Sequence, residues 1–546
     1  MSENAEHSHK SSDIPIAFAI FVLVLIYAGL VATGSLDEFG HHGSESHATA
    51  DSHVDEHGAE SDSKHDNSSQ HSKHDDHPAT DAHTSSTAES DGHAHDDEHS
   101  HSTHATPSVF AVIPFVLLLG AIAILPLIRF TAHWWESNKN RLLLAVVLAA
   151  ITLCYFFFSF GMDKVISVLE HAILLEYVPF IVLLFSLYAI SGGIRIQGDV
   201  AAHPFTNCVF LAIGGGLASF IGTTGAAMLL IRPLIDTNNE RKHVQHTVVF
   251  FIFIVCNCGG CLLPIGDPPL FLGYLKGVPF LWTLWNLWAP WLFVNAALIA
   301  IYFVIDHFIY YPKETLTDIR RDDKMIRPIQ VMGLWPNAVL LVGVILGVAL
   351  LDPNKPLING WHPWPFLREA VQLSMVALSL LFGSKQLRVA NKFNYHAIQE
   401  VAALFIGIFI CMQPALEILN EKGPSLPVSN SKSFFWATGG LSSLLDNAPT
   451  YVVFYETAQA KHATSSESPF TDAVLTAGEQ QNRLIGISLG AVFLGAMTYI
   501  GNGPNFMVRA IAEQMRVPMP SFFGFVIRYS LPYLIPVFWI CTLIFL

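Results

Sequence analysis

Two short segments of this chain read as copies of one another. Ile265-Gly266-Asp267-Pro268-Pro269-Leu270-Phe271 reappears as Ile500-Gly501-Asn502-Gly503-Pro504-Asn505-Phe506. Each lies inside apolar sequence. Glycine relaxes the backbone and proline removes a hydrogen-bond donor, so a helix that runs into either segment unwinds. Irregular backbone at membrane depth is tolerated only where it is buried in protein or lines a wet cavity. A broken, polar, duplicated segment in each half of an apolar chain is the sequence pointer to a transporter's binding site.

Composition agrees. Of 546 residues, 52% are hydrophobic, and mean hydropathy is +0.43. An ordinary soluble enzyme is excluded and a polytopic helical membrane protein in a lipid bilayer is expected. The net charge of −15 is unevenly spread: residues 41–104 hold fifteen Asp or Glu against two Lys, whereas residues 105–546 are close to neutral. Nothing in this pattern points to nucleic acid. The seven cysteines all lie in apolar stretches, which argues against a disulfide scaffold.

Apolar runs long enough to span a bilayer lie at about 14–34, 108–128, 141–160, 166–190, 282–305, 332–352, 366–383, 397–418, 484–500 and 521–546. The first is read as an uncleaved span rather than a signal peptide, since Glu3, Glu6 and Asp13 against Lys10 make a poor leader. Regions 204–275 and 430–460 are apolar but interrupted, and read as re-entrant hairpins and discontinuous helices. Clusters of Lys and Arg at 129–141, 313–327 and 385–392 are assigned to the cytoplasm. The 204–234 hairpin then dips in from the cytoplasm and the 430–460 hairpin from outside, so the two repeats are inverted. The expected plan is a terminal helix (1–34), a disordered outer loop (35–107), a first repeat (108–310), a linker (311–331) and a second repeat (332–546).

Each half offers a polar hairpin tip and then a Gly/Pro break. The first half has Gly222-Thr223-Thr224-Gly225, then Asn257-Cys258-Gly259-Gly260 leading to Asp267. The second has Ser443-Leu444-Leu445-Asp446-Asn447-Ala448-Pro449-Thr450, leading to Asn502 and Asn505. Unwinding frees carbonyl oxygens for a hard cation such as sodium, and exposed helix N-termini suit an anion. Asp267 and Asp446 are the only carboxylates in these motifs. A carboxylate at membrane depth costs several kcal/mol unless paired, which argues for function. Low dielectric favours the neutral form of such a group, so protons and sodium would compete for it. The bland alternative is that Asp446 and Asp267 only cap helices.

These four motifs, in this order, resemble the ion transporter superfamily, most closely the sodium/proton antiporters of the NhaD type and a neighbouring branch labelled as citrate transporters. The resemblance covers about residues 108–546. It implies an all-α, elevator-type fold of two inverted repeats with re-entrant hairpins and discontinuous helices, usually dimeric. It also implies substrate or ion binding by Thr223, Thr224, Asn257, Asp267, Ser443, Asp446, Asn447, Thr450, Asn502 and Asn505. Leu270 stands where the second segment has Asn505, so the first half-site is the less polar.

Other signals are weaker. Cys256, Cys258 and Cys261 read as buried, inert thiols. Gly486-Ile487-Ser488-Leu489-Gly490 matches a hydrolase motif but lies in an apolar helix with no strand before it. Arg232 and Arg509 are anion contacts or interface markers, and Arg509 is assigned to the interface. Glu170, His171 and Glu176 mark a proton path or a wet helix end. Residues 41–104 carry fifteen His and almost no large apolar side chain, so they cannot form a core. There His93, His95, His99 and His101 are candidate ligands for zinc, copper or nickel.

The expected function is secondary active transport at the inner (cytoplasmic) membrane, not enzymatic catalysis. Sodium/proton antiport comes first, with Asp446 as the shared carboxylate and Asp267 as its counterpart. Sodium-coupled uptake of citrate or a similar di- or tricarboxylate is the alternative. A metal-responsive membrane protein built around the His-rich segment is the second alternative.

Overall fold

A computed structural model describes residues 13–32, 106–126, 128–315, 327–353, 355, 361–463 and 478–546. The first half runs through α1 (Asp13–Ala32), α2 (Ile113–Ile124), α3 (Arg129–Trp135), α4 (Asn138–Phe160), α5 (Met162–Ser191), α6 (Pro204–Ile221), α7 (Thr223–Thr237), α8 (Gln245–Ile254), α9 (Pro268–Leu275) and α10 (Trp282–Ile305). The second half runs through α11 (Leu334–Leu350), α12 (Leu367–Phe382), α13 (Lys385–Ala390), α14 (His396–Cys411), α15 (Gln413–Lys422), α16 (Ser431–Ser442), α17 (Asn447–Ala463), α18 (Glu479–Leu494), α19 (Gly503–Gln514) and α20 (Phe522–Phe545). Among the described residues, five helices are long and apolar enough to cross a membrane, or six if the bent pair at 396–425 counts as one. This is a helical membrane protein.

The apolar runs become helices with two instructive differences. The run at 397–418 bends at Met412, because Pro414 sits in the first turn of α15 and can only start a helix there. The run at 484–500 stops being regular helix at Leu494, where Gly495 opens the second break. A small antiparallel sheet, β1 (Arg195–Asp199) with β2 (Arg327–Met332), pairs Arg195 with Met332 and Gln197 with Gln330. The sequence reading assigned residues 311–331 to a linker and missed it, since each strand is short and neither shows a clean alternation of polar and apolar residues.

Small residues set the closest helix approaches, as expected where lipid supplies no hydrophobic drive between helices. A Cβ on Gly407 of α14 would lie 2.9 Å from the Ala145 carbonyl oxygen of α4. On α18, a Cβ at Gly486 would collide with the Ser431 carbonyl, and one at Gly490 with the Phe435 carbonyl, both on α16. Gly486 to Gly490 is therefore a helix-packing stripe, and Ser488 between them is fully buried. Elsewhere aromatic rings fill the seams: Phe180 of α5 stacks on Phe405 of α14 with centroids 4.8 Å apart.

Two groups of charges buried between helices are paired. Lys276, just past α9, lies 3.2 Å from Glu176 Oε1 of α5 and 2.7 Å from Glu456 Oε1 of α17. Glu176 is thus a buried partner, not part of a wet helix end. Beyond α10, Asp306 accepts from Arg241, from Tyr302 Oη at 3.0 Å, and pairs with His246 Nε2 at 2.9 Å.

Candidate functional site

Two helix pairs with sharp tips converge on two breaks. The α6–α7 tip turns at Gly222, whose φ of +79° is a conformation that side chains with a Cβ rarely adopt. The Thr223 amide then donates to the Gly266 carbonyl at 2.9 Å, which ties the tip to the first break. At the α16–α17 tip, Thr498 Oγ1 of the second break donates to the Ser443 carbonyl at 2.7 Å. Ser219 Oγ donates to the Gly259 carbonyl and Ser442 Oγ to the Ala491 carbonyl, so each pair is fastened twice.

The breaks share one local geometry. Asp267 (φ −143°, ψ 141°) and Asn502 (φ −153°, ψ 140°) are extended, and each precedes a helix with proline in its first turn. Both stand at the N-cap position, yet neither side chain caps its own helix. They turn toward each other instead. Asn502 Nδ2 donates to Asp267 Oδ1 at 3.0 Å, as does Thr223 Oγ1 at 3.0 Å, and Asn447 Nδ2 donates to Asp267 Oδ2 at 2.7 Å. One carboxylate so receives donors from both tips and from the opposite break. It is 1% exposed. Among the described residues, no Lys, Arg or His forms an ion pair with it.

Around this carboxylate the asparagines cross-brace. Asn502 Nδ2 also donates to the Cys256 carbonyl at 2.9 Å, and Asn257 Nδ2 donates to Asn505 Oδ1 at 2.7 Å. Asn505 Nδ2 reaches the Gly495 and Thr498 carbonyls, both at 2.9 Å. Two buried oxygens, Asn257 Oδ1 and Asn447 Oδ1, have no hydrogen-bond partner among the described residues. Buried acceptors are rarely left so, because each forfeits its hydration. Both side chains border Gly495: a Cβ there would be 3.1 Å from Asn257 Oδ1, 3.2 Å from the Gly501 carbonyl oxygen and 3.6 Å from Asn447 Nδ2. Hard oxygen donors around a carboxylate suit a small cation or a proton.

A family model described as "Putative citrate transport" matches residues 104–546. The chain belongs to that family. Membership makes it a transporter-family protein, and it is the citrate-transport branch of the expected resemblance that matches. No curated protein matches the chain.

Of the ten residues singled out from the sequence of this family member, Thr223, Asn447 and Asn502 meet on the Asp267 carboxylate, and Asn257 and Asn505 form a pair that the Asn502 bond to the Cys256 carbonyl places beside it. Four stand apart. Asp446 is half-buried at the second tip, where its carboxylate accepts from the Ala448 amide at 3.1 Å and its carbonyl from Thr450 Oγ1 at 2.9 Å, both helix-start contacts. Ser443 Oγ bonds the Gly440 carbonyl, and Thr224 makes no side-chain bond to the other nine. His93, His95, His99 and His101 lie outside the described residues. Sequence reasoning missed Thr498, whose hydroxyl accepts from the Ile500 and Gly501 amides, each at 3.1 Å, and so shapes the second break. Its place two residues before the duplicated segment was the available signal.

Proposed function

We propose that this chain is a secondary active carrier of citrate-like carboxylates, driven by a cation or proton taken up at Asp267. Family membership supports the cargo class. The observation that carries the coupling is the Asp267 carboxylate, held by both tips and the opposite break, with the unpartnered Asn257 and Asn447 oxygens beside it. An anionic cargo and a bare buried carboxylate repel, so cargo binding must follow neutralisation of Asp267. That order makes transport obligately coupled. The duplicated breaks are the halves of two inverted repeats, and alternating access arises as the hairpin-bearing portion moves against the rest of the helices in the elevator manner. The membrane is the inner one, with 129–141 and 385–392 facing the cytoplasm.

Sodium/proton antiport is a second reading, favoured by the same lack of a cationic partner at Asp267. Proteoliposomes separate the two. Labelled citrate accumulating under an imposed sodium or proton gradient supports the carboxylate carrier. Sodium dissipating a preformed proton gradient, with no citrate uptake at all, supports the antiporter and removes the proposal.

A further inference from the structure

The two hairpin helices carry opposite charges at matching positions. Arg232 lies nine residues after Thr223 on α7, and Glu456 lies nine residues after Asn447 on α17. Glu456 is neutralised by Lys276. Arg232 is not neutralised in the same way: its Nη1 is buried and has no hydrogen-bond partner among the described residues. Arg232 and Asp236, one turn on, lie within electrostatic reach of Arg195, and Asp236 also of Lys392, so three cations bear on Asp236.

Arg232 also ends a seam that starts at the site. Gly222, Gly225, Leu229 and Arg232 follow one another at helical spacing on one face of α7. A Cβ at Gly222 would meet Leu187, and one at Gly225 would meet Ser191 Oγ at 3.3 Å, so this face runs along the end of α5. A cavity of about 20 Å³ opens there between Met228 and Leu229 on one side and Tyr188 and Ser191 on the other. The carbonyls at the end of α5, which would repel an anion, are already covered. Arg388 donates to Ala189, and Asn391 Nδ2 donates to Gly192 at 3.0 Å and to Ile194 at 2.7 Å.

We infer that Arg232 is a carboxylate handhold at the mouth of the α5–α7 seam, a second anion site on the path between Asp267 and one face of the membrane. It rests on the carboxylate-carrier reading for its cargo. An Arg guanidinium with a free donor is the group best shaped for a carboxylate.

The test uses the full chain in phosphatidylcholine vesicles with Met228→Cys introduced, and reads alkylation of that residue by mass spectrometry as citrate replaces chloride at constant ionic strength. Citrate should slow the alkylation. Arg232→Gln should raise the half-protecting concentration about tenfold, the loss of one charge-assisted hydrogen bond. Arg232→Lys should recover part of that loss. Asp236→Asn, which removes the competing acid, should lower the concentration about threefold. Equal protection in Arg232→Gln and the parent, protection that appears only with anionic lipid, or no alkylation without citrate would each overturn the inference. Labelled citrate exchange in the same vesicles keeps the two ideas apart. Arg232-dependent protection without exchange sinks the carrier reading alone, and exchange with Arg232-independent protection sinks the handhold alone.

Discussion

A carboxylate withdrawn from water needs a cation, donors or a proton. Asp267 has three donors and, among the described residues, no cation. Asp267→Asn keeps the shape and removes the charge, so it should cost no more than about 2 kcal/mol of stability, and the thermal stabilisation by cation expected of the parent should be lost. Melting curves with and without sodium or at varied pH check this. A cation response in Asp267→Asn equal to the parent's would mean that the ion binds elsewhere. Gly495→Ala aims a methyl at Asn257 Oδ1 and the Gly501 carbonyl. It should weaken cation binding about tenfold, the worth of one oxygen contact, and leave the fold intact. At this scale the sequence was informative about residue type and less so about rank. Asp267 and Asp446 look alike on paper, because both precede a proline-bearing helix start. Only placement shows that Asp446 bonds its own helix start and Asp267 turns away from its own.

Short elements carry the site, and their fastenings are testable. The first break folds back on itself so tightly that a Cβ on Gly266 would strike the Gly260 carbonyl. Gly266→Ala should therefore destabilise by about 1–3 kcal/mol through overpacking, seen as a lowered melting temperature, whereas Gly503→Ala, with open space around it, should not. The eight residues of α9 join Asp267 to Lys276, about 12 Å along the helix axis. Lys276→Met leaves Glu176 and Glu456 buried and unpaired, so a loss of about 3–5 kcal/mol is expected. Glu456→Gln, which keeps the Glu176 pair, should lose less. Just past the Trp282–Lys313 span, Glu314 is buried, which works against its charge. The Lys242 and His243 amides, the His243 ring and Arg241 outweigh burial and hold its carboxyl below the ordinary glutamate value. The stability this adds is present above the ordinary value of about 4.3 and is lost as pH falls through the lower, folded value. The melting-temperature advantage of the parent over Glu314→Gln should shrink on acidification below about pH 4. An advantage that grows with acid would contradict the assignment. The breaks themselves were legible, since Gly and Pro in apolar sequence leave few options. The purpose of Gly486 and Gly490 was not, because a packing stripe and a catalytic elbow can share one pattern of letters.

Over the whole molecule, hydropathy alone identified the helical membrane class, and the duplicated segment pointed to where its halves would meet. What hydropathy could not supply was contact between halves: Asn257 with Asn505, Asn447 and Asn502 with Asp267, and Lys276 between α5 and α17. Such pairs are 100 or more residues apart, and no local rule links them. They fasten both breaks and both tips to one acid, and on the proposed reading that ties the movement of cargo to that of the driving ion. Separating downhill exchange from concentrative uptake reads that coupling directly. In vesicles loaded with unlabelled citrate, Asp267→Asn should still exchange labelled citrate, while accumulation against a citrate gradient under an imposed sodium or proton gradient should vanish. Accumulation by Asp267→Asn at the parent's level would contradict the assignment of Asp267 as the coupling group.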